Sequence, residues 1–267
     1  MSFYTSEVSQ LGHFEEIERQ EIEIDSPDTV SWNNKGIFLG DMGKCEEAIR
    51  CFDKAIKLDP SYTVALYNKG FALNVMGEYE DAIECYNKVI ELDSSDLNAW
   101  YNKGLACYDL GKYNESIECW DIVVRLRPLE ASAWYCRGLS LDALNRIEES
   151  IQCYDNAIEI NPAYAEAWNN KGLAKYCLGR YNESIECYEK AIALDPFHVA
   201  AWNNKGTALS ALGSFNESLL AFNQAIKIDP FQEVSWYNKG IALRALHHET
   251  EAEAAFAKAK EVGYKPL

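Results

Sequence analysis

A fixed step of 34 residues runs through this chain seven times, and no other feature restricts the fold as much. Trp100, Trp134, Trp168, Trp202 and Trp236 mark the step, and stepping back from Trp100 reaches Leu66 and then Trp32. Glycine keeps its column in every copy, at Gly36, Gly70, Gly104, Gly138, Gly172, Gly206 and Gly240. A small residue follows (Ala48, Ala82, Ser116, Ser150, Ser184, Ser218, Ala252), then an aromatic one (Phe52, Tyr86, Trp120, Tyr154, Tyr188, Phe222, Phe256).

Within a copy, Trp168, Leu173 and Leu178, then Tyr181, Ile185, Tyr188 and Ile192, recur at helical spacing and predict two amphipathic helices. Gly179 suits the left-handed turn between them, Asn182 and Glu183 place acceptors and negative charge at the second start, and Asp195-Pro196 ends it. The glycine column faces the small column across the pair, so Gly172 opposite Ser184 predicts close approach of the two backbones. One such hairpin cannot bury both of its apolar stripes, so each must stack on the next.

These columns, with proline at 60, 128, 162, 196 and 230, resemble the tetratricopeptide repeat family over residues 29–264. The sixth copy carries the likeness as AWNNKGTALSALGSFNESLLAFNQAIKIDP from Ala201. Departures are Leu66 for Trp, Ser94 for Pro, and Asn145 and His247 for the inter-helix Gly. The expectation is an all-α, right-handed superhelical solenoid of seven helix-turn-helix repeats, at 29–62, 63–96, 97–130, 131–164, 165–198, 199–232 and 233–264. A worn half-repeat at 1–28 would cap the start, residues 265–267 would form a tail, and the polar face of Glu249 to Glu261 would close the far end.

The resemblance implies that first helices line a concave groove, with residues after each Trp pointing into it. Asparagine fills one column there: Asn34, Asn68, Asn102, Asn170, Asn204 and Asn238, with Cys136 in the remaining copy. A carboxamide offers a donor beside an acceptor, which suits the backbone of an extended peptide. The column resembles those with which the repeat domains of O-linked N-acetylglucosamine transferases and peroxisomal import receptors grip peptide backbones. The alternative is that these amides bond to the backbone of the adjacent repeat or to water. The preceding column alternates Tyr67, Tyr101, Tyr135 and Tyr237 with Asn33, Asn169 and Asn203. Ile37, Phe71, Leu105, Leu139, Leu173, Thr207 and Ile241, one turn on, either wall the groove or pack between helices. The strongest anchoring is expected near Tyr67, Tyr101 and Tyr135. The Lys and Asn residues that clamp a chaperone tail carboxylate in other family members are absent.

Composition excludes several functions. Twenty-five Lys plus Arg against forty-two Asp plus Glu leave a net charge of -17, a field that repels phosphate backbones, so no nucleic acid is expected. Asp41, Asp109, Asp142 and Glu166 would add negative potential near the groove and favour a basic ligand, although most acid belongs to a solvated outer face. There is no apolar run long enough to cross a bilayer and no secretion signal at Met1, so the expected location is cytoplasmic. Five cysteines (Cys51, Cys85, Cys119, Cys153, Cys187) follow the repeat, too far apart for disulfides or a shared zinc, and read as packing residues. Cys136, in the asparagine column, is the cysteine whose exposure matters. The Asn-Glu-Ser triplets at 114, 182 and 216 are by-products of the repeat. The column of Lys35, Lys69, Lys103, Arg137, Lys171, Lys205 and Lys239 reads as structural. No nucleophile stands beside a base and no glycine loop cradles phosphate, so neither catalysis nor any cofactor or metal is expected. The function expected is a protein-interaction scaffold that binds a peptide or protein segment. The alternative is a structural scaffold that assembles with itself through the open repeat ends.

Overall fold

The buried side chains of the second helices follow the spacing of a single helical stripe. In the helix Cys45–Leu58 they are Ala48, Cys51, Phe52 and Ala55. In the helix Tyr181–Leu194 they are Ser184, Cys187, Tyr188 and Ala191. The cysteine column is therefore part of the interior, where the small thiol lies beside the aromatic ring of the next column. The computed structural model describes residues 28–265, and these form fourteen helices and no strand. The expected cap at 1–28 lies outside the described residues except for Asp28, as does the tail beyond Lys265.

The chain divides into two compact units, residues 1–110 and 111–267. The first contains α1 (Thr29–Asp41), α2 (Cys45–Leu58), α3 (Thr63–Met76), α4 (Tyr79–Leu92) and α5 (Leu97–Asp109). Here α1 pairs with α2 and α3 with α4, and α5 stacks on α4. The second contains α6 (Tyr113–Leu126), α7 (Ala131–Ala143), α8 (Ile147–Ile160), α9 (Ala165–Cys177), α10 (Tyr181–Leu194), α11 (Val199–Ala211), α12 (Phe215–Ile228), α13 (Glu233–Ala245) and α14 (Glu249–Glu261). Its hairpins are α7 with α8, α9 with α10, α11 with α12 and α13 with α14, and α6 packs on α7.

The glycine column is filled by a ring. A Cβ on Gly172 would stand 2.6 Å from Tyr188 Cε1, with the Ser184 carbonyl oxygen at 3.1 Å. Phe52 occupies the same seat against Gly36, and Phe222 against Gly206. The close approach expected between Gly172 and Ser184 therefore exists, but the aromatic residue four positions on is its main tenant.

Between the helices of a pair the chain turns through one left-handed residue. Gly77 has φ of 80°, and Asn145 and His247 adopt φ of 58° and 61° in the copies that lack glycine. Asn182 does not cap α10 as expected, because no side chain caps that helix. Glu183 instead pairs with Lys175 at 2.7 Å. Between pairs, the residue before proline is extended, as at Asp195 (φ -131°, ψ 96°). Its carboxylate accepts from the Phe197 amide at 2.9 Å. Four tryptophans then pin the loop by donating the indole N–H to the proline carbonyl six residues earlier: Trp134 to Pro128, Trp168 to Pro162, Trp202 to Pro196 and Trp236 to Pro230, at 2.9–3.1 Å. On α14, Ala252, Ala255 and Ala259 are buried, and Tyr264 beyond it stacks on Tyr237 at 4.1 Å between ring centres.

Candidate functional site

The asparagine column forms rungs between successive hairpins. Asn68 Nδ2 donates to Asn33 Oδ1 at 2.9 Å, and Asn102 Nδ2 donates to Tyr67 Oη at 2.9 Å. In the second unit Asn170 donates to Tyr135 Oη at 3.0 Å, Asn204 to Asn169 Oδ1 at 3.1 Å and Asn238 to Asn203 Oδ1 at 3.2 Å. Every acceptor lies 35 residues earlier, one position before the asparagine of the preceding copy or, for Asn170, before Cys136. The alternation of Tyr and Asn in that earlier column is thus an alternation of acceptors, phenol oxygen or amide oxygen.

This arrangement corrects the idea that each carboxamide displays a donor and an acceptor side by side. The nitrogen is turned into the scaffold. At Asn102 the assignment follows from chemistry, because Nδ2 also meets the Asn98 main-chain carbonyl at 2.9 Å, which can only accept. What remains is the oxygen: Oδ1 of Asn68, Asn102, Asn204 and Asn238 carries no hydrogen bond among the described residues. Asn170 differs, since its oxygen accepts from Asn169 Nδ2 at 3.0 Å. Asn34, on α1, is exposed.

The tyrosines are scaffold as much as wall. Tyr67 tilts against Tyr86 at 6.0 Å, and Tyr135 against Tyr154 and Tyr164 at 5.9 and 4.9 Å. Burial pushes the Tyr67 phenol pKa up, against the lowering effect of the Asn102 bond. Tyr101 is half-buried on α5. Tyr237 packs on Phe256 at 5.5 Å. In the aliphatic column one turn on, Ile37, Phe71, Leu173 and Ile241 are exposed, while Leu105 and Leu139 are half-buried. Between α1 and α3 the exposed members border a cavity of about 350 Å³ that also touches Tyr67 and Asn68.

Models of the tetratricopeptide repeat match residues 30–62, 63–96, 97–128 and 165–198, and two further models of the repeat match 140–179 and 187–219. The chain belongs to the tetratricopeptide repeat family. Tetratricopeptide repeat structures share its fold. One such protein from Parabacteroides merdae superposes with a TM-score of 0.72 at 18% identity, over 89% of this chain and 94% of that one. A structure of MamA gives 0.59 at 27% identity, over 63% and 92%. YrrB, described as a tetratricopeptide repeat protein with an unusual peptide-binding site, gives 0.58 at 24% identity, over 74% and 97%. No curated protein sequence matches the chain. Membership makes it a protein-interaction scaffold in the general sense of the family.

The lysine column of these tetratricopeptide repeats has a partner that the sequence did not reveal. Lys69 meets Asp53 at 2.6 Å, Arg137 meets Asp121 at 2.7 Å, Lys171 meets Asp155 at 2.5 Å and Lys205 meets Glu189 at 2.8 Å. Each carboxylate sits on the second helix of the preceding hairpin. The stems also pass over the tryptophans, with Lys171 Nζ 5.2 Å from the Trp168 ring centre. In the last copy Asn223 stands where the carboxylate would be, and burial lowers the Lys239 pKa.

Of the four acids expected near the groove, Asp41, Asp109 and Glu166 are exposed, whereas Asp142 is half-buried and accepts from the Tyr154 hydroxyl. The other Asp142 oxygen makes no well-formed hydrogen bond, and burial raises the carboxyl pKa against the lowering effect of the nearby Ser150 and Tyr154 hydroxyls. Cys136 is half-exposed, but Cys177 is the exposed cysteine. Cys51, Cys85, Cys119, Cys153 and Cys187 are buried. Burial pushes the thiol pKa up at Cys51, Cys85, Cys153 and Cys187. No helix among the described residues is long and apolar enough to cross a membrane.

Proposed function

We propose that this chain captures a segment of another protein on the face formed by its first helices, where a row of amide oxygens accepts N–H groups from the visitor. The observation behind this reading is the division of labour within each carboxamide. The nitrogen is used in the rung to the neighbouring hairpin, and the oxygen is left open at Asn68 and Asn102 in the first unit and at Asn204 and Asn238 in the second, two adjacent copies in each. Neighbouring helix layers lie about 8–10 Å apart, and an extended chain advances about 3.3 Å per residue. Within each unit, the two open oxygens, of Asn68 and Asn102 in the first and of Asn204 and Asn238 in the second, therefore fall opposite residues about three apart in an extended segment. Only donors satisfy such a row, so it engages backbone N–H and side-chain cations and offers nothing to carbonyls or carboxylates. YrrB, with its peptide-binding site, is a precedent on the same fold.

The test separates scaffold from groove. Nine-residue random peptides displayed on phage are selected on the wild-type protein, and the binders are titrated against a variant carrying Asn68→Ala, Asn102→Ala and Asn204→Ala. Loss of the rungs lowers stability in either case, by about 0.5–1.5 kcal/mol per bond, which urea unfolding reads. The reading expects affinity to fall at least about tenfold while the variant stays folded. Selected peptides that bind the folded variant as tightly as the wild type would remove the ladder from the function, and selection of no peptide at all would remove the groove.

A further inference from the structure

We propose that the cavity between α1 and α3 is an anchoring subsite for an apolar side chain that lies next to a Lys or Arg in the captured segment. This rests on the groove reading and adds to it the chemistry of one position. The apolar part of the argument is exposure. Ile37, Phe71 and Val75 border the cavity with 40%, 52% and 63% of their surface in water, side by side on two neighbouring helices. A bound side chain removes that surface from solvent. The volume of about 350 Å³ lies at the lower end of the range of small-ligand pockets, enough for one large side chain.

Gly40 is what opens the space. The same column carries Asn74, Tyr108, Asp142, Tyr176, Ser210 and Arg244 in the other copies, each with a side chain that projects from the first helix. Packing does not require a glycine here, since a Cβ at Gly40 would meet nothing nearer than Ala48 Cβ at 4.0 Å. Gly36 lacks a Cβ because the Phe52 ring takes its place, whereas Gly40 leaves room. Glycine inside a helix weakens it, and the emptiness above Gly40 is the return.

The cationic part comes from the rim. Asp41, exposed and without a salt bridge among the described residues, is the last residue of α1, where the partial negative charge of the helix end adds to its own. Asn68, with its open amide oxygen, lines the same cavity, and among the described residues no Lys, Arg or His does. An apolar group flanked by a carboxylate would meet repulsion here, and one flanked by an ammonium or guanidinium would meet attraction.

Cys45, half-buried at the same rim, permits a test that needs no partner. The full chain is equilibrated under mild reductant with three disulfide reagents: a phenyl-bearing thiol with an amine, the same thiol with a carboxylate, and a small hydroxylated thiol with an amine. Peptide mass mapping gives capture at Cys45 relative to Cys177, the exposed cysteine of the other unit, which registers the general pull of an acidic protein on cations. The subsite predicts selective capture of the phenyl amine at Cys45, about two- to fivefold over its carboxylate counterpart from a single exposed charge. It predicts a similar or larger preference over the hydroxylated amine. Gly40→Tyr, which fills the cavity with the residue two other copies carry, should abolish both preferences at Cys45 and leave Cys177 unchanged. Asp41→Asn should abolish only the amine preference. Equal capture of all three reagents, or selectivity that survives Gly40→Tyr, would overturn the subsite. Phage-selected peptides that depend on the asparagines while Cys45 shows no selectivity would sink the subsite alone. Selectivity at Cys45 with no peptide captured would sink the groove reading instead.

Discussion

His247 holds φ of 61° at a turn where most copies use glycine, a conformation that costs a residue with a Cβ more than it costs glycine. Asn145 does the same with φ of 58°, at lower cost because asparagine tolerates the left-handed region. Replacing His247 by Gly should raise the unfolding free energy by about 1 kcal/mol, less the entropy that glycine adds to the unfolded chain. Asn145→Gly should gain less, and urea midpoints measure both. Asp142 invites a second test. Burial raises its pKa above the ordinary 3.8, so the folded state binds the proton more tightly than the unfolded one. The penalty for its charge is fully present above the folded pKa and disappears as pH falls through that value towards 3.8. Asp142→Asn, which removes the charge and keeps the shape, should therefore stabilise at neutral pH, by at most about 1 kcal/mol because solvent screens part of the penalty at this half-buried site. The advantage should shrink in unfolding curves taken at progressively lower pH.

At the scale of the helix and its neighbours, pairs 16 residues apart stitch hairpin to hairpin, as Lys69 to Asp53 and Lys205 to Glu189. The third and last copies have asparagine in place of that carboxylate, Asn87 before Lys103 and Asn223 before Lys239. Asn223→Asp would supply Lys239 with the carboxylate that Lys69, Arg137, Lys171 and Lys205 have, raise its depressed pKa and stabilise by about 0.2–1 kcal/mol. Thermal unfolding in low salt would show it, with a smaller gain in high salt. These pairs also explain what the sequence disclosed and what it hid. Hairpins, turns and inward faces were legible because 3.6-residue spacing and the glycine and proline columns act within one copy. The tyrosine seat of Gly172 was half legible: the close approach was, its ring tenant was not. The partners of Lys69 and Asn68 were hidden, because the offset between stacked copies decides whether a side chain meets a residue 16 or 35 positions back. That offset is a product of packing and leaves no periodic trace of its own. The cavity above Gly40 was missed for a related reason, since a single missing side chain matters only once a neighbouring helix is beside it.

For the molecule as a whole, a net charge of -17 sets a self-repulsion that any folded arrangement has to bear. Surface ion pairs contribute about 0.2–1 kcal/mol each and lose some of it to salt, but the excess of acid over base is the larger charge imbalance. Added sodium chloride should therefore raise the urea midpoint, steeply at first and then little once the screening length falls to about 8 Å near physiological ionic strength. A midpoint that falls with salt would mean that the bridges outweigh the repulsion. The rungs have a further effect on any ligand they receive. A carboxamide is conjugated, so a donor arriving at its oxygen draws electron density from its nitrogen and sharpens the N–H bond on the far side. A guest seated on Asn68 would thus tighten the link from Asn68 to Asn33, and one lying along several oxygens would stiffen the seam it rests on. Loading and rigidity then rise together, with the spine of the array serving as its own gauge of occupancy.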